Sequence, residues 1–264
     1  MVHRGERAEA LSGRHALVTG VSRREGIGFA VAHHLATQGA RVTIQGFAPH
    51  DCEYLGVPGD GAVTAVVDAL RAVDPGIVFI DADFLEPDAA GRVVAEAVAA
   101  RGPLDILVAN HARSSSGTLD EVTADELDRS FAINARGSIL LAQAFTAQHA
   151  GERGGRIVMM TSGQHGSAMP TELAYAVSKG AIHQATRTLA AHLMRRGITV
   201  NTVNPGPTDT GWADAETQAV VEDLMPTGRW GSPADAARLI GLLCSDDAAW
   251  VTGQVIDADG GFSL

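Results

Sequence analysis

Thr19-Gly20-Val21-Ser22-Arg23-Arg24-Glu25-Gly26-Ile27-Gly28 is the stretch on which the fold turns. It follows the apolar run HALVT and leads into IGFAVAHHLATQ, whose apolar residues recur at helical spacing. A strand, a glycine-rich turn and a helix in that order form a unit suited to a pyrophosphate. The glycines permit a tight turn, let backbone N–H groups approach the phosphates, and let helix and strand pack closely.

Outward from this turn, short Val- and Ile-rich runs alternate with longer Ala-rich segments of helical period, the pattern of successive βαβ units. Strands are expected at residues 15–19, 41–45, 77–81, 104–109, 156–160, 199–203 and 254–257. Helices are expected at 27–38, 62–73, 89–100, 124–148, 174–195 and 233–244. Uninterrupted apolar runs such as ILVA and RIVMM suit strands covered on both faces. The expectation is an α/β single-domain Rossmann fold, a doubly wound seven-stranded parallel sheet with helices on both faces. Residues 1–12 read as a flexible leader and 13–264 as one domain. Residues 48–61 read as a long loop, and 206–232 as a candidate substrate lid, because loops beyond the carboxyl ends of parallel strands are where such sheets bind ligands.

Composition narrows the partners. A chain of 264 residues, 45% hydrophobic, can bury a substantial core. Its formal charge of −11 argues against general affinity for nucleic acid or acidic membrane surfaces and leaves small molecules as the expected ligands. Two cysteines without CxxC spacing suggest neither a disulfide framework nor a metal site, and a reducing cytoplasm fits. No run approaches the length of a membrane span.

The end of the second expected strand reads Ile44-Gln45-Gly46-Phe47, with no acid to bind a ribose 2′-hydroxyl, although Asp51 stands a few residues on. Arg23 and Arg24 in the glycine turn suit a 2′-phosphate. NADP(H) is therefore favoured over NAD(H). Asp83, after the third strand, is placed to accept a hydrogen bond from an adenine amino group, or simply to cap a turn.

Tyr175 and Lys179 sit at i and i+4 of an expected helix and so project from one face. Lys179 is the only lysine among twenty Lys and Arg residues, and Tyr175 is one of two tyrosines. A phenol with pKa near 10 is a poor acid–base catalyst at neutral pH, whereas an adjacent ammonium stabilises its phenolate. Such a tyrosine can protonate the alkoxide that develops when hydride reaches a carbonyl. Ser162, ending the fifth strand, is suited to orient that carbonyl.

Together these residues resemble the short-chain dehydrogenase/reductase family, over nearly the whole chain. Ser162 precedes the tyrosine of Tyr175-Ala176-Val177-Ser178-Lys179 by thirteen residues, the family's interval. By resemblance, Asn134 in FAIN completes a catalytic tetrad with Ser162, Tyr175 and Lys179 and supports a water-mediated proton relay. Asn110 in LVANHA matches the asparagine that braces the central sheet. Pro205, Gly206, Thr208 and Thr210 match a segment that contacts the nicotinamide end. The resemblance implies cofactor contacts at Gly20, Ser22, Arg23, Arg24, Gly26, Ile27, Gly28, Asp83, Phe84 and Asn110, with Tyr175 and Lys179 on the ribose. It also implies a homotetramer or homodimer built on the 124–148 and 174–195 helices.

Three features depart from the family pattern. Five residues rather than three separate Gly20 from Gly26, His111-Ala112 replaces Ala-Gly, and the 48–61 loop is long. Gln164, His165 and Trp212, with Met169, Met225 and Trp230, fall in segments expected to border the substrate. The expected activity is interconversion of a secondary alcohol and a ketone, most similar to the 3-oxoacyl-[acyl-carrier-protein] reductases. Sugars and polyketides are also in reach. Two alternatives differ in class. A catalytically inactive dinucleotide-sensing regulator would tend to lose the tyrosine or lysine, and a nucleotide-sugar epimerase or dehydratase would carry a longer carboxyl-terminal part.

Overall fold

The computed structural model describes residues 10–55, 61–151 and 154–264. Seven strands form one parallel sheet: β1 His15–Thr19, β2 Arg41–Gly46, β3 Val78–Asp81, β4 Ile106–Ala109, β5 Gly155–Met160, β6 Ile198–Asn204 and β7 Val255–Asp257. Each lies within two residues of its expected bounds. Their order is β3-β2-β1-β4-β5-β6-β7. The chain therefore winds one way from β1 to β3 and the other from β4 to β7, leaving a crevice at the carboxyl ends of β1 and β4.

Alternation along each strand feeds two cores. Ala16, Val18, Val42, Ile44, Val108 and Val158 face one layer, which contains α1 (Ile27–Thr37), α3 (Ala62–Arg71) and α9 (Pro233–Cys244). Leu17, Leu107, Ile157 and Met159 face the other. That layer holds α4 (Ala89–Arg101), α6 (Ser138–Gln148) and α7 (Leu173–Leu193), which contribute Val93, Phe145 and Ile182. Residues 1–9 of the expected leader lie outside the described residues, but Leu11 is fully buried in the first core and its N–H donates to Gln38 O at 2.9 Å. Packing thus begins before residue 13.

Three segments differ from expectation. Residues 48–55 form a helix, α2 (Ala48–Leu55), where a loop was expected; residues 56–60 lie outside the described residues. Its polar composition gives little apolar periodicity to read, and His50, Asp51 and Glu53 tie it to the rest of the protein through polar and ionic bonds. Within 206–232 lies another short helix, α8 (Ala215–Leu224), capped by Asp214, whose side chain accepts from Thr217 N–H at 2.8 Å. The expected 124–148 helix is interrupted: α5 (Ala124–Ser130) passes into a π-helical turn, Phe131–Gly137, before α6. Hydrophobic periodicity does not reveal such a turn, because the cause is tertiary. Asn134 Oδ1 accepts from Arg113 N–H at 2.6 Å, and its Nδ2 donates to Arg113 O at 3.0 Å and Ser178 Oγ at 2.8 Å. Gly137 lets the turn approach His111 and Phe84, whose side chains a Cβ there would meet at 3.1 and 3.2 Å.

Candidate active site

A cleft of about 640 Å³ opens at the carboxyl ends of β1 and β4. Gly20, Ser22, Arg23, Gly26 and Ile27 form its first wall. Gly20 has φ +71°, and a Cβ there would lie 2.7 Å from His111 Cα; one on Gly28 would lie 2.3 Å from Gly20 O. Both positions therefore require glycine. No side chain caps the start of α1 at Gly26, so its first-turn N–H groups are available to an anion. Asn110 Nδ2 ties the turn to β4 by donating to Thr19 O at 3.0 Å and Gly20 O at 3.2 Å.

Gln45 supplies a brace that motif reading missed. Its Oε1 accepts from Gly20 N–H at 3.1 Å and its Nε2 donates to Ala82 O at 2.7 Å, linking three strand ends. A buried polar side chain on a strand carries no motif, so only the pairing of β1, β2 and β3 exposes this role. Gly46 follows it in a close-packed position, where a Cβ would meet Val21 O and the Phe79 ring at 3.0 Å.

Asp51 arrives instead from α2. Ser22 Oγ donates to Asp51, Arg23 Nε donates to it at 3.2 Å, and Arg23 Nη1 donates to Thr210 O at 2.9 Å. Arg24 is not brought to the cleft: it is exposed, with its guanidinium 5.8 Å from the Phe29 ring centroid. The longer turn directs successive arginines to opposite sides. Asp83 borders the cleft but caps the following turn, accepting from Leu85 N–H at 2.8 Å. Phe84 also borders it, with its ring packed inward 4.1 Å from the His111 ring.

His111 does not crowd the opening. Its ring is buried, with Nδ1 2.7 Å from Thr19 Oγ1 and Nε2 3.0 Å from Ile133 O. A carbonyl can only accept, so Nε2 carries the proton and Nδ1 receives the threonine hydroxyl. Burial, with the nearby Lys179 charge, pushes the imidazole pKa down to about 3, so it stays neutral. This residue pins the π turn to the end of β1.

On the far wall, α7 places Tyr175 and Lys179 side by side in the cleft, together with Ser162 from the end of β5. Lys179 is 3% exposed; its Nζ donates to Met160 O at 3.0 Å and stands 5.8 Å from the Tyr175 ring centroid. Burial pushes its pKa down to about 8. Asn134 is buried behind this group, joined to α7 through Ser178. Pro205, Gly206, Thr208 and Thr210 border the cleft beyond β6, and a Cβ on Gly206 would meet Asp259 Cβ at 2.3 Å.

Of the residues expected near a substrate, Trp212 and Met169 border the cleft and Gln164 and His165 do not. Gln164 is occupied by Ser162 N–H and Thr161 Oγ1, and His165 turns toward Asp257 and the His183 ring. The short 3₁₀ turn Gly163–His165 accounts for this, since it carries both side chains back over the strand ends. Met225 and Trp230 are buried, with Trp230 packing edge-on against Trp212. Glu172, Asp259 and Phe262 border the cleft without having been expected.

Residues 20–263 match the family profile described as Enoyl-(Acyl carrier protein) reductase. The chain is 37% identical to the uncharacterized oxidoreductase YjdA of Bacillus subtilis, over 94% of this chain and 96% of that protein. It is 36% identical to a probable tetrahydroxynaphthalene reductase of Zymoseptoria tritici, over 95% and 94%. Among solved structures, a short-chain dehydrogenase from Burkholderia cenocepacia in complex with NADP superposes with a TM-score of 0.86 at 34% identity, covering 97% of this chain and all of that one.

Proposed function

The chain belongs to the short-chain dehydrogenase/reductase family and is a nicotinamide-dependent oxidoreductase; from that premise we propose that it reduces a hydroxylated aromatic ketone with NADPH, with Tyr175 as the proton donor. The observation that carries this reading is the sharing of one cleft wall by Tyr175, Lys179 and Ser162, with a buried ammonium held beside the phenol. The relative named for tetrahydroxynaphthalene supports the substrate class.

The residues present fit a dinucleotide. Gly20, Ser22, Gly26 and Ile27 would cradle the pyrophosphate, Asn110 would brace it, and Pro205, Gly206, Thr208 and Thr210 would hold the nicotinamide end. When bound, the nicotinamide supplies or accepts the hydride. Ser162 then orients the carbonyl, and the Tyr175 hydroxyl passes its proton to the carbonyl oxygen. Lys179 favours the phenolate left behind and has the reach to hold a ribose hydroxyl. Asn134 keeps the π turn and α7 in register, and its backbone carbonyl accepts from Ser138 Oγ at 2.7 Å.

NADP is favoured over NAD because Arg23 borders the cleft and keeps donors beyond those given to Asp51 and Thr210. A homotetramer is supported by exposed apolar side chains along the 124–148 segment and α7: Leu127, Phe131, Ile139 and Val177. Among the described residues no helix is long and apolar enough to cross a membrane, and the cytoplasm is the proposed location. The 206–232 segment serves as the lid: Trp212 and Val221 border the cleft, and a bridge between Thr208 and Gly231 pins its base.

The test follows NADPH and NADH absorbance against hydroxylated aromatic ketones, β-keto esters and sugars. Tyr175→Phe is expected to lower kcat by about 10²–10⁴-fold. Unchanged turnover in that variant would sink the mechanism, and no turnover of any aromatic ketone would sink the substrate class.

A further inference from the structure

Almost every charged side chain that borders the cleft already has a partner within the protein. Arg23 pairs with Asp51, Arg113 with Glu126, and Lys179 with Met160 O. Asp83 accepts from Leu85 N–H, and Asp259 accepts from Gly261 N–H and Ser263 N–H. Glu172 is the exception: no hydrogen bond or ion pair from the described residues reaches its carboxylate.

Its position is nonetheless well determined. Glu172 N–H donates to Met169 O at 3.2 Å, and the flanking backbone pairs with Gly117 through Leu173 N–H at 3.1 Å and Gly117 N–H at 2.6 Å. These bonds leave the side chain untouched, and it does not cap α7. Glu172, at the N-cap of α7, borders the same cleft as Tyr175 and Lys179, a cleft that Met169, Trp212 and Val221 also line. Burial alone raises the carboxyl pKa. Glu172 is half-buried at the cleft wall, and a partly desolvated carboxylate with no donor from the described residues is open to a donor on a ligand.

We infer that Glu172 is the specificity residue of the substrate half of the cleft: its carboxylate accepts a hydrogen bond from a hydroxyl group that the ketone carries away from its reacting carbonyl. This rests on reading the cleft as a ketone-reductase site. It adds a selection rule, namely that a ketone presenting a donor to Glu172 is taken, and one presenting only an acceptor there is refused.

Equilibrium binding tests the rule without turnover. The protein is saturated with oxidised NADP, and Kd is measured by titration calorimetry for β-tetralone, its ring-hydroxylated derivatives and the corresponding methyl ethers. The best hydroxylated ketone is expected to bind about tenfold tighter than its methyl ether. In Glu172→Gln, whose amide both donates and accepts, the two should fall within about twofold. Glu172→Ala should lose the preference as well, while Tyr175→Phe should keep it. Equal affinities in the native protein, or a preference that survives in Glu172→Gln, would overturn the assignment. Turnover with NADPH reports separately. Selective binding without reduction would count against the ketone-reductase reading alone, and reduction without selective binding would count against Glu172 alone.

Discussion

At the catalytic end of the cleft, Lys179 is buried and held by the backbone of β5, and Asn134 is 1% exposed and held by the backbone of Arg113 in the loop that follows β4. At the adenosine end, Arg23 and Asp51 each keep 19% of their side-chain surface exposed and are held mainly by one another, across a short polar helix. The contrast separates two tasks. Proton transfer needs groups that do not reorganise, so they are locked by packing. On the proposed reading, cofactor choice rests on a partly solvated ion pair, whose energy is small and whose partners can exchange.

The largest expected effect lies at the locked end. Lys179→Arg keeps the charge but replaces a compact ammonium with a planar fork in a site sized to reach Met160 O, and kcat should fall about 100-fold in a steady-state assay. Near-normal activity would mean this end is as adjustable as the other.

The same lysine gives a pH signature. Burial disfavours the ammonium, so its proton is lost near pH 8 rather than near 10.5, and carbonyl reduction should decline as pH rises through about 8. Stability moves oppositely. From about pH 8 to 10.5 the unfolded chain binds the proton that the folded chain has released, so folding becomes more favourable as pH rises through that window. A flat rate profile between pH 7 and 9 would place the titrating group elsewhere.

Next comes the phosphate turn, where the two ends meet. Gly28→Ala forces a Cβ to within 2.3 Å of Gly20 O, and urea denaturation should show a loss of about 2 kcal/mol with weakened cofactor binding. Wild-type stability in this variant would show a turn softer than its contacts imply.

At the adjustable end, Arg23→Ala should raise the KM for NADPH about tenfold while leaving that for NADH within about twofold. Asp51→Asn has the smallest expected effect. It frees Arg23 and Ser22 from a carboxylate and should lower the KM for NADPH about threefold. A larger effect on NADH than on NADPH would assign Asp51 to a ribose hydroxyl instead.

The sheet was legible because its signals are local. Each strand is a short apolar run with turn residues at its ends, the glycine turn and the Tyr175–Lys179 pair carry spacing that the chemistry demands, and the place of Ser162 came from the interval of the family the chain resembles. Polar α2 has no apolar stripe, and the π turn is produced by Asn134, His111 and Gly137 meeting residues distant in the chain. Gln164 and His165 stood in the right segment, but a local turn carried them off the cleft, while Glu172 lay unremarked one turn before the tyrosine.

By itself, then, the sequence determined the positions of the strands along the chain and their parallel direction, the need for glycine in the first turn, and which residue types meet on one face of α7. Local conformation and periodicity suffice for these. Tertiary structure alone decided that Arg23 enters the cleft and Arg24 leaves it, that His111 points inward, and that the Glu172 carboxylate borders the cleft of Tyr175 with no donor among the described residues. Those outcomes depend on which groups are withdrawn from water together, and burial is a property of the packed chain.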